Sequence, residues 1–138
     1  MILATVKTSL QGLGAFLIYF GVSLGLLVIF GLIHSIITPY KEIELIKKEN
    51  TAAALSFMGA LIGFAIPLGS AVAHSAGLLD MIIWALIAMG AQILVYFCVK
   101  AVFPHLPADI PHNHVPKGIV LGAISIIVGY LNAVCMIY

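Results

Sequence analysis

The sequence predicts an all-α integral membrane protein. It reads as a single four-helix bundle of two helical hairpins, with a short amphipathic segment between spans one and two. Three observations carry this. Of the 138 residues, 63% are hydrophobic and 8% charged, whereas a soluble domain carries about 25% charged residues. A water-soluble fold of this size cannot bury that much apolar side chain, which leaves lipid as its solvent. Four charge-free stretches (Thr8 to Tyr40, Asn50 to Leu79, Met81 to Val99, and Gly118 onward) hold nearly the whole chain. Each supplies, alone or with one or two flanking residues, the ~20 residues a span needs. Finally, the apolar runs are continuous rather than alternating. Unpaired backbone groups are costly in lipid, so such runs form helices and not barrel strands.

The first span is placed at Leu10–Ile37. Its apolar core is too long for a signal peptide, and no small-x-small cleavage site sits at a suitable place, so it reads as a retained span that tilts or overhangs the membrane. The segment after it opens with Thr38-Pro39 and runs from Tyr40 to Glu49. Ile43 and Ile46 share one face with Leu45 on its flank, and Glu44 and Lys48 stand in the favoured i,i+4 order. That pattern predicts a short helix lying on the membrane surface. Span two is placed at Thr51–His74 and span three at Asp80–Phe103, with Asn50 and Asp80 as N-caps. Between span three and span four (Pro116–Met136) lie four prolines in 14 residues, from Phe103 to Pro116. A regular helix is not expected there.

With 6 lysines, no arginine and 5 acidic residues, the chain lacks the basic patch that nucleic acid requires. The expected partner is the lipid bilayer, not nucleic acid. Lys41, Lys47, Lys48, Lys100 and Lys117 fall at one end of the bundle and Lys7 at the other. The positive-inside rule then puts both loops in the cytoplasm and both termini outside. A faint internal repeat places Gly59-Ala60 after Pro39 and Gly122-Ala123 after Pro104, as two hairpins in one orientation would.

Helices in lipid associate through small residues and a few polar contacts. Gly21 and Gly25, Gly59 and Gly63, and Gly118 and Gly122 have the spacing for close packing within the bundle. The polar positions inside the spans are Ser23, His34, Ser56, Gln92, Ser125 and Asn132, with Pro67 as a backbone defect. At ~1.5 Å per residue, Gln92 and Ser125 lie about 16 and 13 Å from the lysine-rich end, while Pro67 and Asn132 both lie about 24 Å up. Pro67 frees the carbonyl of Gly63. A hydrogen bond from Asn132 to the backbone at Gly63 or Phe64 is expected, with solute contact by these interior groups as the alternative.

No catalytic constellation emerges. Cys98 and Cys135 lie at different depths, too far apart for a disulfide, and as buried thiols they should be inert. Intramembrane carboxylates are absent, no Ser, His and Asp share a depth, and no glycine-rich phosphate loop is present, so neither enzymatic activity nor a cofactor is expected. His105, His112 and His114 form a candidate metal site in the second loop, since imidazole suits zinc, copper and nickel. Headgroup-level histidines are the competing account.

The strings Pro39-Tyr40-Lys41-Glu42-Ile43-Glu44-Leu45-Ile46, Asn50-Thr51-Ala52-Ala53-Ala54, Gly59 to Leu68 and Gly129-Tyr130-Leu131-Asn132-Ala133 resemble the YjfL-like bacterial inner-membrane family, domain of unknown function 350. Trp84 and Gln92 fit as well, and the likeness covers all four spans. The motif positions are Pro39, Tyr40, Glu42, Asn50 and Asn132; the histidine-rich loop lies outside the pattern. The resemblance implies a bacterial inner membrane and a four-span unit often duplicated within one chain, so that a single copy points to a homodimer. It implies no reaction. The expected role is a membrane scaffold, or a subunit binding a membrane or cytoplasmic protein partner in an envelope-related process. The alternative is a small-solute transporter or channel, for instance for polyamines, acting as a dimer.

Overall fold

The computed structural model describes residues 1–137. Its helices are α1 (Ile2–Gln11), α2 (Leu13–Ile37), α3 (Glu42–Lys47), α4 (Thr51–His74), α5 (Leu78–Val102), α6 (Leu106–Asp109) and α7 (Val115–Cys135). Four helical segments are long and apolar enough to cross a membrane: Ile2–Ile37, Thr51–His74, Leu78–Val102 and Val115–Cys135. The molecule is an all-α membrane bundle.

The first span begins well before Leu10. The polar stretch around Lys7 is helical too, and within it Thr5 and Thr8 turn their hydroxyls back onto the carbonyls of Met1 and Ala4, at 3.1 and 2.9 Å, which satisfies those hydroxyls inside the helix. Gly12 only tightens a turn, its N–H meeting the Ser9 carbonyl at 3.2 Å. α1 buries none of its residues, and α2 buries only Leu26, Phe30 and His34. Asn50 caps α4 as expected, accepting from the Ala53 N–H at 2.9 Å, a contact worth about 1 kcal/mol. Asp80 is not a cap. α5 starts at Leu78 after Gly77, and Asp80 reaches back from the first turn to accept from the Ala76 N–H at 2.9 Å.

α4 is the centre of the molecule and packs against α2, α3, α5 and α7. Near one half of its length Phe30 stacks on Phe64 with centroids 4.7 Å apart, beside Met81, Ala85 and Ala88. Toward the lysine-rich end the core passes to Tyr96, Val99, Leu106, Ile110 and Leu121. α4 and α7 both leave that end and run parallel along a seam of small residues. A Cβ on Gly59 would strike Gly122, and one on Gly118 would lie 2.5 Å from the Ala52 carbonyl oxygen. Gly21 and Gly25 meet no neighbour, so their spacing serves no contact within the chain.

Both loops at the lysine-rich end depart from expectation. α3 does not present Ile43 inward: that residue is exposed, Leu45 and Ile46 are half-buried, and Glu42 is fully buried. Glu44 pairs with Lys41 at 3.7 Å rather than with Lys48. The helix has ended at Lys47, and Lys48 has left helical geometry. Glu49 then reverses the chain at φ 63°. The proline-rich loop does contain a helix, a single turn over Leu106–Asp109. Pro107 sits in that first turn, where its missing N–H costs nothing, while Leu106 and Ile110 plug the bundle end.

Candidate functional site

At mid-bundle, Pro67 deprives the Gly63 carbonyl of its helical donor. The bare carbonyl projects toward α7, where any side chain at Gly129 would collide with it. Gln92 on α5 supplies the missing donor. Its Nε2 lies 3.0 Å from the Gly63 oxygen and 3.1 Å from the Ser125 oxygen, tying α4, α5 and α7 at one point. Gln92 and Ser125 are each 2% exposed. The Gln92 Oε1 finds no partner among the described residues.

The donor to Gly63 is therefore Gln92, not Asn132. Asn132 is half-buried, and its Nδ2 makes no hydrogen bond among the described residues. Asn132 shares the depth of Pro67, but the freed carbonyl belongs to Gly63, about 6 Å lower along α4, where it meets Gly129 and Ser125 of α7 and Gln92 of α5. The polar link at that level is instead Ser70, whose hydroxyl donates to the Ala133 carbonyl at 2.9 Å. Ser70 was not singled out from sequence, since one hydroxyl in a Gly- and Ala-rich helix gives no signal.

Toward the lysine-rich end lies a cluster that composition concealed. His34 Nδ1 faces the Glu42 carboxylate, 3.0 Å from Oε1 and 3.2 Å from Oε2. The two residues are 2% and 0% exposed. The chain reverses between them through Thr38, whose hydroxyl donates to the His34 carbonyl at 3.1 Å and fixes the bend. Tyr96 packs edge-on to His34 at 5.9 Å, and Phe30 and Phe57 flank the imidazole at 5.8 and 6.0 Å. Tyr40 closes the cluster beside Ser56. The hydroxyls of Tyr40 and Tyr96 are buried without a hydrogen bond of normal geometry. Burial, reinforced by the Glu42 carboxylate, pushes the Tyr40 phenol far above its ordinary range, which keeps it an O–H donor. A surface helix over this segment would leave Glu42 near water; the structure instead buries its carboxylate completely. The missed signal was His34 eight residues before Glu42, with a proline turn between to fold one back on the other.

The second loop is tied to the start of α4. Asn50 Nδ2 donates to the carbonyls of Ile110 and Pro111 at 3.0 and 3.2 Å, and Asn113 Oδ1 accepts from the Ala52 N–H at 3.0 Å. Lys117 hydrogen-bonds Asp109, holding that carboxyl below the usual carboxylate range. The three histidines do not converge on a metal site. His112 Nδ1 turns to the Ala108 carbonyl at 2.7 Å, His114 lies 3.4 Å from Asp109, and His105 is exposed. Among the described residues no three His, Cys, Asp or Glu side chains gather as metal ligands. Cys98 and Cys135 are not buried but exposed on the outer faces of their helices. Pro39 is exposed at the turn, and the family-motif positions Tyr40, Glu42 and Asn50 are all buried.

The family model for the Domain of Unknown Function (DUF350) matches residues 8–136. The chain is 39% identical over 127 residues to the UPF0719 inner membrane protein YjfL of Escherichia coli K12, covering 92% of this chain and 96% of that one. It is 29% identical over 91 residues to the UPF0719 transmembrane protein YshE of Bacillus subtilis 168, covering 66% and 68%. No solved structure matches.

Proposed function

The chain belongs to the DUF350 family, and from that membership and the closed bundle interior we propose that it is a non-enzymatic scaffold or partner-binding subunit of a bacterial inner membrane. One observation carries this reading. At mid-bundle, Gln92 bridges Gly63 and Ser125 while the glycines of α4 and α7 lie in backbone contact, a close-packed seam of the kind a scaffold needs. The surface left for partners is α1 and the outer half of α2, which bury almost nothing within the chain. The lysine-rich loops face the cytoplasm and the N-terminus lies outside, by the charge bias of the loops.

Purified protein in liposomes tests the reading with a flux panel that includes polyamines, alongside cross-linking and pull-down from native membranes. The expected result is no flux and recovery of a specific membrane partner. Flux of a solute by the wild-type protein would overturn it. A second reading, transport by a dimer, is favoured by Gln92 Oε1 and Asn132 Nδ2, which have no hydrogen-bond partner among the described residues and are polar atoms that a solute path would use. For orientation, single cysteines at Ser9 and Lys48 should label from opposite sides of intact cells, with position 48 protected from outside reagent.

A further inference from the structure

A buried ion pair rarely repays its desolvation, and apolar side chains of equal volume often stabilise a fold as well or better. Ionisable groups at membrane depth therefore point to function. His34 from α2 and Glu42 from α3 meet inside the bundle end, and the groups facing them from the other elements are all neutral. These are Tyr40 from the connector, Ser56 and Phe57 from α4, and Tyr96 from α5. The nearest lysine in sequence, Lys41, points away, its side chain 80% exposed toward Glu44.

The pair is electrically neutral when it holds one proton, as imidazolium with carboxylate or as imidazole with carboxylic acid. Lacking that proton it leaves a lone buried carboxylate, and with a second proton it leaves a lone imidazolium. Low dielectric penalises both. Near the carboxylate, the Tyr40 and Tyr96 hydroxyls are buried without a hydrogen bond of normal geometry among the described residues. Those atoms are equipped to hold a bridging water and pass a proton. Glu42 opens the six-residue helix α3 and is flanked by exposed Lys41 and Ile43. The path from the carboxylate to the surface is therefore one residue long on either side.

We propose that His34 and Glu42 form a binding site for a single proton, taken from and returned to water at the lysine-rich end, and that its occupancy latches α3 onto the bundle. The proton moves between the Nδ1–carboxylate contact and a water molecule; no other group changes charge. The site stands independently of whether the bundle scaffolds or transports.

The test uses the full chain in nanodiscs. With glutamate labelled by 13C at the side-chain carboxyl, Glu44 and Glu49 are exposed and Glu42 alone is buried. Infrared spectra should show one carboxyl whose stretch, set by its buried surroundings, stands apart from those of the other two. Hydrogen exchange at Leu45 and Ile46, corrected for intrinsic rates, should be slowest where the pair holds one proton. On either side of that window it should rise on the order of tenfold or more, as expected for uncovering an unpaired buried charge. Glu42→Gln and His34→Gln should each flatten this pH dependence. Three glutamate carboxyls with one common stretch, or α3 exchange indifferent to pH in the wild type, would overturn the proposal. The infrared and wild-type exchange measurements decide the matter even where a variant does not fold.

Discussion

Gln92 shows how much one side chain settles in a membrane bundle. A carbonyl released by proline has no water to turn to, so whichever helix brings a donor to it fixes the packing. The defect at Pro67 and the acceptor at Gly63 are legible in the sequence, but Asn132 matches the depth of Pro67, whereas the freed Gly63 carbonyl lies about 6 Å lower, level with Gln92. Rotation about the helix axis, by contrast, is not legible from spacing in a helix apolar all round. Gln92→Leu should lower stability by roughly 1–2 kcal/mol by stranding the Gly63 carbonyl, measurable as a drop in thermal or SDS-denaturation midpoint. Asn132→Leu should change it by less than about 0.5 kcal/mol, because its Nδ2 bonds nothing among the described residues. An Asn132 variant that melts like the Gln92 variant would place the polar link on the wrong residue.

Among elements, the parallel α4–α7 seam was half legible. The glycine spacings at Gly59, Gly63, Gly118 and Gly122 stood out, but so did Gly21 and Gly25, which meet nothing. Small-residue spacing reports where backbones are able to approach, not where they do. Valine at Gly59 or Gly129 must push α7 off α4 and should cost about 1–3 kcal/mol as overpacking, whereas Gly21→Val and Gly25→Val should leave the melting midpoint unchanged. The short α6 loop was illegible for a different reason. Its prolines forbid a long helix, but one turn with Pro107 at its start breaks no rule. That loop carries the depressed Asp109 carboxyl. A carboxylate lowered in the folded state contributes stability above its unfolded value, 3.8, and loses it as pH falls through the lower folded value. Exchange protection at Ile110 and Asn113 should therefore hold at neutral pH and fade only in acid below that value. Lys117→Met should weaken it at neutral pH. The site is solvent-screened, and the effect should shrink in high salt.

For the molecule as a whole, composition settled the class and the placement of the few charges settled the number of spans. Neither could show that stability is unevenly distributed. α4 touches most of the bundle, while α1 and the outer half of α2 expose Leu3, Val6, Leu10, Phe16 and Phe20 and bury nothing. A helix that folds without contributing to the core is free to serve another surface. In lipid, that exposure carries no hydrophobic penalty, so selection for solubility does not remove it. Stability and partner binding should then separate experimentally. Removing residues 2–11 should leave the denaturation midpoint of the remaining bundle within about 0.5 kcal/mol of the full chain, the range of substitutions away from packed features. The same deletion should abolish recovery of the membrane partner in cross-linking from native membranes. Gln92→Leu should do the reverse, lowering the midpoint while a partner held by α1 is still recovered. A deletion that collapses the bundle would mean that α1 packs in the membrane against a face the isolated chain leaves open, and one that leaves partner recovery intact would move the binding surface elsewhere on the protein.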